Sequence, residues 1–154
     1  LSTPFNNLWF NYINFGGVAP LEYIFYIRIT NQDGTNGLNT YYGQTVSSIP
    51  GTAGRGDLDV QVPWVNLHEA GDVRGTYFQP GSSGRRLTRK HLDRFGHVPV
   101  IRLAEMYLTR AEANFRLNTN IGDDPVDDVN LIRNRAGLSS LGAVTLNGLN
   151  FHQQ

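Results

Sequence analysis

The chain has 154 residues, 40% of them hydrophobic and 17% charged, and its formal net charge is zero. This balance indicates one globular domain with a core, and it excludes a disordered chain or one drawn by charge to nucleic acid. The chain contains no cysteine, which excludes disulfides, cysteine–zinc sites and thiol catalysis. No apolar run approaches the roughly 20 residues that a membrane-spanning helix needs.

The first third of the chain predicts little regular structure. Residues 1–20 carry several aromatic side chains without a clear period, and we expect an irregular segment tucked against a core. Residues 21–30 alternate along the chain and are rich in aromatic and β-branched side chains, which is typical of a strand. Residues 31–56 are dense in Gly, Asn, Thr and Ser and predict a long loop that carries Tyr41 and Tyr42.

The middle of the chain predicts one short helix and a strand pair. The helix is expected to begin near Pro63 and to end at Gly71, because proline is tolerated in a first turn and glycine favours a helix end. Trp64, Leu67 and His68 would share one face of it. Two short strands are expected around residues 76–79 and 87–92, separated by a turn-rich segment.

Two helices are predicted after Pro99. Apolar and small residues fall at helical spacing from Val100 to Phe115. A second helix is expected after Asp124 as N-cap and Pro125 as first residue, with Gly137 at its end. The short turn at 118–123 makes the pair a helical hairpin of the tetratricopeptide type. The predicted fold is therefore mainly α, with irregular loops, a few short strands and a tetratricopeptide-like hairpin.

Four sequence blocks occur in an order known from one protein family. They read DVRG at 72–75, TRK at 88–90, VPVIRLAEMYLTRAEA at 98–113 and DVNLIRNRAG at 128–137. With these blocks the chain resembles the C-terminal region of SusD/RagB-like outer-membrane nutrient-binding lipoproteins. Residues 1–154 would form one such region, with a loop-rich part at 1–56, the family blocks at 57–138 and a divergent tail at 147–154. Since family members are several times longer, we expect the chain to be a fragment.

The resemblance implies a non-catalytic function without cofactor or metal. Such proteins bind oligosaccharides or polysaccharides at the outer surface of Bacteroidetes-type bacteria and deliver them to a SusC-like TonB-dependent transporter. A lipid anchor is expected in the full-length parent and not in this chain. No family ligand residue lies in the matched blocks. Tyr41, Tyr42 and Trp64 are predicted to stack on sugars, because aromatic faces pack on the C–H faces of pyranoses; core packing is the alternative for Trp64.

Two other functions remain open on the sequence. The hairpin from Val100 to Ala136 could hold a protein partner as a tetratricopeptide-like scaffold. The acidic residues at 123–128 could serve a glycoside hydrolase, although helix capping explains them fully. Three further patterns favour structural roles: the four histidines, a basic run at 85–94 expected to pair with acids, and a calcium-loop-like turn at 31–36.

Overall fold

The computed structural model describes residue 1, residues 4–81 and residues 84–142. Its helices are α1 (Asn11–Phe15), α2 (Gly37–Tyr42), α3 (Val62–Asn66), α4 (Leu103–Leu117) and α5 (Pro125–Arg135). Its strands are β1 (Tyr23–Ile27), β2 (Phe78–Pro80), β3 (Arg86–Thr88) and β4 (Val98–Arg102). Short 3-10 helices lie at Phe5–Leu8, Val73–Tyr77 and Arg89–His91. The predicted fold class, helical with a few short strands, is confirmed. Within these ranges no helix has the length and apolar character to cross a membrane.

The core is built largely by the N-terminal segment. Phe5, Leu8, Trp9 and Phe10 are buried and pack with three buried side chains from elsewhere in the chain, Tyr23, Tyr77 and Leu92. The rings of Phe5 and Tyr77 meet edge to face at 4.9 Å. The segment is tucked against the core as predicted, but it forms a 3-10 helix and α1 rather than an irregular path.

The predicted strand at 21–30 is present as β1. The strand that pairs with it lies where a helix was predicted. β1 pairs antiparallel with β4, with Tyr23 opposite Arg102 and Ile27 opposite Val98. The expectation that helix begins near Val100 is therefore wrong, since residues 98–102 are a strand. Helix α4 begins at Leu103, whose N–H donates to the carbonyl of Glu22 (2.9 Å). The β-branched Val100 and Ile101 favour the strand, and β1 supplies the backbone partners that it needs.

The predicted loop at 31–56 contains helix α2, which the loop-like composition did not predict. The Asn36 side chain accepts from the N–H of Asn39 (2.9 Å) and caps α2. The buried amide of Asn39 donates to the carbonyls of Ala53, His91 and Leu92 at 2.8–3.2 Å. Gly54 has a positive φ of 126°, and a side chain there would collide with the backbone of Gly43. This segment is therefore fastened to the body of the protein rather than free.

Helix α3 is shorter than predicted. It ends at Asn66, five residues before Gly71, and none of its residues is buried, so no tertiary packing supports a longer helix. The alternative prediction that Trp64 packs in the core is also wrong, because its side chain is 65% exposed. The strand pair follows as β2 and β3, with Phe78 opposite Thr88. The second strand is shorter than expected, since residues 89–91 form a 3-10 helix.

The helical hairpin is confirmed. Helices α4 and α5 pack against each other, and Asp124 caps α5 by accepting from the N–H of Val126 (2.9 Å). Arg110 of α4 donates to both carboxylate oxygens of the fully buried Asp128 on α5, at 2.8 and 2.6 Å. This bidentate contact fixes the register of the two helices.

Candidate ligand-binding sites

Trp64 is presented to solvent near the start of α3. Its backbone N–H donates to the carbonyl of Gln61 (3.1 Å). Its indole makes no hydrogen bond and no ring contact among the described residues. A large aromatic surface that is 65% exposed is available to stack on a ligand.

Tyr41 and Tyr42 are neighbours on α2 whose rings contact different groups. Tyr41 is 47% exposed, and the Arg55 guanidinium lies 5.3 Å from its ring centroid. Arg55 is in turn paired with Asp57. Tyr42 is half-buried, and its ring lies 5.6 Å from the ring of His91. Tyr41 therefore keeps more free ring surface than Tyr42.

The three predicted aromatic residues do not form one cluster in the described structure. The carbonyl of Tyr41 accepts from the N–H groups of Asp57 (2.8 Å) and Leu58 (3.2 Å), in the segment that leads to α3. No ring contact joins Trp64 to Tyr41 or Tyr42 within that part of the chain. Their role in ligand binding remains a prediction.

A separate open cleft of about 350 Å³ was not anticipated from the sequence. It lies between the end of α1, the end of β1 with the turn that follows, and the segment before β4. Its lining residues are Tyr12, Gly16, Gly17, Arg28, Ile29, Thr30, Asn31, Gln32 and His97. Three distant stretches of chain meet here, so no local motif could have revealed it. We call it the Tyr12 cleft.

Asp93 sets the position of α1 and therefore of Tyr12. Helix α1 has no side-chain cap of its own. The carboxylate of Asp93 instead accepts from the N–H groups of Tyr12 (2.9 Å) and Ile13 (3.1 Å), and also from that of Phe95 (3.2 Å). Burial raises the pKa of Asp93, although these three bonds act in the opposite direction. The Tyr12 ring packs edge to face on Phe95 at 5.1 Å.

His97 forms a fixed wall of the Tyr12 cleft. Its Nδ1 accepts from the N–H of Ile29 (3.2 Å), which leaves the proton on Nε2 to be donated to the carbonyl of Gly17 (2.8 Å). Its ring stacks on Tyr26 at 5.1 Å. Both ring nitrogens are thus engaged, and the imidazole is held in place as a structural group.

Two other histidines are also packed against aromatic rings. His68 meets Phe78 edge to face at 5.2 Å. His91 lies against Trp9 and Tyr42, and burial, followed by the charge of Lys90, lowers its pKa to about 4. The structural interpretation is confirmed for these residues. His152 lies outside the described residues.

Polar side chains at the rim of the Tyr12 cleft divide into engaged and unengaged groups. Asp33 Oδ2 accepts from the backbone N–H and the hydroxyl of Thr30, both at 2.7 Å. These bonds lower the pKa of Asp33, and they explain the calcium-like pattern as a turn. In the described structure the side chains of Arg28, Asn31 and Gln32 make no hydrogen bond or ion pair. The three are available to a ligand.

Among the ion pairs of the described residues, none joins the basic run at 85–94 to an acid, so the predicted pairing is not found there. Instead, Arg89 lies over Tyr77 (5.9 Å), Lys90 over Trp9 (5.1 Å) and Arg94 over Phe95 (5.2 Å). Cation–π contacts of this kind hold the cations on the aromatic core. Burial lowers the pKa of Lys90, and the charges of Arg102 and Arg74 lower it further.

The acidic residues at 123–128 are used by the hairpin itself. Asp124 caps α5, Asp128 is bound by Arg110, and Asp123 lies 3.8 Å from the same guanidinium. The helix interpretation of this cluster is confirmed. Among the residues with described positions, no group of three or more His, Asp or Glu side chains could hold a metal ion.

The comparisons with known proteins agree with the fold. Residues 93–148 match the model of the SusD family. Surface glycan-binding protein A from Bacteroides uniformis is similar in structure, with a TM-score of 0.63 and 18% identity over 86% of this chain and 34% of its own. B. fragilis NanU gives a TM-score of 0.59 and 18% identity over 83% and 34% of the two chains. Residues 93–148 are thus SusD-like in sequence, and the chain resembles these solved structures in fold.

A third solved structure is also similar to this chain. A SusD superfamily protein from Bacteroides vulgatus gives a TM-score of 0.59 and 16% identity over 91% of this chain and 36% of its own. Among curated proteins none matches. The chain spans about a third of the length of these three structures.

The SusD family match covers the helical hairpin rather than the exposed aromatic residues. Tyr41, Tyr42, Trp64 and most of the Tyr12 cleft precede residue 93, where the match begins. The divergent tail predicted at 147–154 lies outside the described residues, and the division at residues 56 and 138 stays a prediction.

Proposed function

We propose that this chain is part of a non-catalytic protein that binds oligosaccharides or polysaccharides at the outer surface of a Bacteroidetes-type bacterium. The full-length parent would be a lipid-anchored outer-membrane protein that delivers the glycan to a SusC-like TonB-dependent transporter. The SusD family match and the fold support this proposal. One protein of similar fold, from Bacteroides uniformis, is named as a surface glycan-binding protein.

The exposed ring of Trp64 is the observation that carries the proposal. An indole that is 65% exposed on a short surface helix offers an apolar face of the size that a pyranose ring covers. Tyr41, also exposed, offers a second ring, and Tyr42, half-buried beside His91, offers a smaller surface. Covering one face of Trp64 would contribute about 1.5 kcal/mol to binding, which is about tenfold in Kd.

The proposal includes no hydrolysis, and the engagement of the acidic cluster supports this. A glycosidase places two carboxyl groups on opposite sides of the scissile bond. Asp124 is committed to the N-terminus of α5 and Asp128 to Arg110. Asp127 is exposed in the first turn of α5, where the helix dipole favours an acid.

The test is affinity electrophoresis of the folded chain through a panel of neutral polysaccharides, with variants of each predicted residue. We expect retardation by at least one polysaccharide, about tenfold weaker in Trp64→Ala and reduced in Tyr41→Ala and Tyr42→Ala. Leu67→Ala is the matched control, since Leu67 is 71% exposed in the turn after α3 but has no ring. Retardation unchanged in all three aromatic variants would refute the predicted site.

The exposed face of the hairpin favours a second candidate function. Met106 and Leu117 lie about three helical turns apart on one face of α4. They are 40% and 70% exposed, and a lone hairpin leaves such a face for a neighbouring helix. A tetratricopeptide-like scaffold would bind a protein there. Peptide binding that is lost in Met106→Asp, with no response to any glycan, would favour this alternative.

A further inference from the structure

The Tyr12 cleft has the size and the lining of a small-ligand site. Its volume of about 350 Å³ falls at the lower end of the range typical of ligand pockets, roughly 300–1,000 Å³. Its walls are preorganised, because Asp93 holds α1, Phe95 orients the Tyr12 ring and Gly17 and Ile29 fix His97. The walls would therefore need no ordering, whereas the exposed side chains of Arg28, Asn31 and Gln32 would be ordered when a ligand binds.

The groups left unengaged are those that recognise a sugar. The side-chain amides of Asn31 and Gln32 can each donate to and accept from hydroxyl groups. The Tyr12 ring adds an aromatic surface at the side of the cleft. His97 is unavailable, since both of its ring nitrogens are bonded within the protein, and Oδ2 of Asp33 is bonded to Thr30.

The Tyr12 cleft contains one charged side chain, which a site for a neutral sugar would not need. Arg28 is the only charged side chain in its lining. The nearby carboxylate of Asp33 is bonded to Thr30. Those bonds, and to a smaller extent the charge of Arg28, lower the pKa of Asp33, but the two side chains form no ion pair in the described structure. A guanidinium presents donors in a planar fork that matches a carboxylate in two places. Arg55, which lies beside the exposed Tyr41, is by comparison already paired with Asp57.

We propose that the Tyr12 cleft binds a carboxylate-bearing sugar residue of an acidic glycan, with Arg28 on the carboxylate and Asn31 and Gln32 on the hydroxyl groups. The inference rests on the proposed function in that the ligand is a glycan, but it assigns a different site from Trp64. It also adds a ligand class, the uronate-type sugar.

The test is isothermal titration of the full chain with oligogalacturonate, oligomannuronate and hyaluronate fragments, each beside its carboxyl-methyl ester. At least one free acid is expected to bind about tenfold or more tightly than its ester, as for hydrogen bonds to a charged group. Arg28→Gln should remove that difference. Arg116→Gln is the matched control, because Arg116 is an exposed cation on α4 that pairs with Glu112, and this variant should bind as the unaltered chain does.

Each of the other possible results also decides whether the inference holds. Equal binding of acid and ester, equal losses in Arg28→Gln and Arg116→Gln, or no binding of any acid would overturn the inference. A sulfated glycan without carboxylate groups that binds as tightly as the uronate through Arg28 would overturn the carboxylate assignment. If neutral polysaccharides still bind through Trp64 in those cases, the proposed function stands and only this inference fails. If a well-folded chain binds no glycan at all, both fail.

Discussion

The buried pair of Glu22 and Arg135 gives the sharpest test of how the fold is held together. Glu22 lies just before β1, and Arg135 lies in the last turn of α5; their side chains are 2% and 8% exposed. The Arg135 guanidinium also lies 5.9 Å from the ring centroid of Phe5. Arg102 is a second cation nearby, and burial, followed by the charge of Arg135, lowers the pKa of Arg102. In Glu22→Gln, Arg135 would stay buried without an anion and beside Arg102. Losing one partner of such a pair costs about 3 kcal/mol.

The assay is thermal and urea unfolding followed by circular dichroism. For a chain of this length about 3 kcal/mol corresponds to a fall in Tm of about 6–12 °C. Glu69→Gln is the matched control, because Glu69 pairs with Arg133 in the same last turn of α5 but is 56% exposed. It should change Tm little, since exposed ion pairs contribute little. If the two variants shift Tm equally, the pair does not act as a buried link and the reasoning is refuted.

Two further predictions concern buried polar groups. Because burial lowers the pKa of His91 to about 4 from about 6.5 in the unfolded chain, His91 stays neutral in the fold while the unfolded chain takes up a proton. The stability that neutral His91 contributes is therefore fully present above pH 6.5, and about 3 kcal/mol of it is lost as the pH falls from 6.5 to 4. As the pH falls, Tm should decrease less steeply in His91→Gln than in the unaltered chain. Identical slopes would contradict this prediction. Asn114, 4% exposed, donates to the carbonyls of Ile121 and Asp123, both at 3.1 Å. Asn114→Asp should cost about 2 kcal/mol in urea unfolding, and an unchanged urea midpoint would show that these bonds do not hold the turn.

The parts of the fold that local chemistry decides were predictable from the sequence. Helix α5 begins and ends where its cap and first proline indicated, because capping and dipole interactions act within one turn. Strand β4 was missed because its apolar residues also fit a helical period. Only pairing with β1, about 75 residues earlier, decides between the two. Asn36 could have revealed α2, since it is a good N-cap in an otherwise loop-like stretch.

The sequence could predict a site residue only where the type of the residue by itself indicated a function. Trp64 was named from its ring, and the structure adds that the ring is exposed. The Tyr12 cleft depends on Tyr12, Arg28 and His97, which come together only in the folded chain. No period or spacing relates residues from three separate segments. The SusD family match could not indicate the cleft either, since it begins at residue 93.

The most direct test of glycan binding without cleavage is electrophoresis of the folded chain through neutral and acidic polysaccharides, with a reducing-end assay on the same polysaccharides after incubation. The account predicts retardation by at least one polysaccharide and no release of reducing ends. Migration unaffected by every polysaccharide in a chain that melts cooperatively, or release of reducing ends, would contradict it.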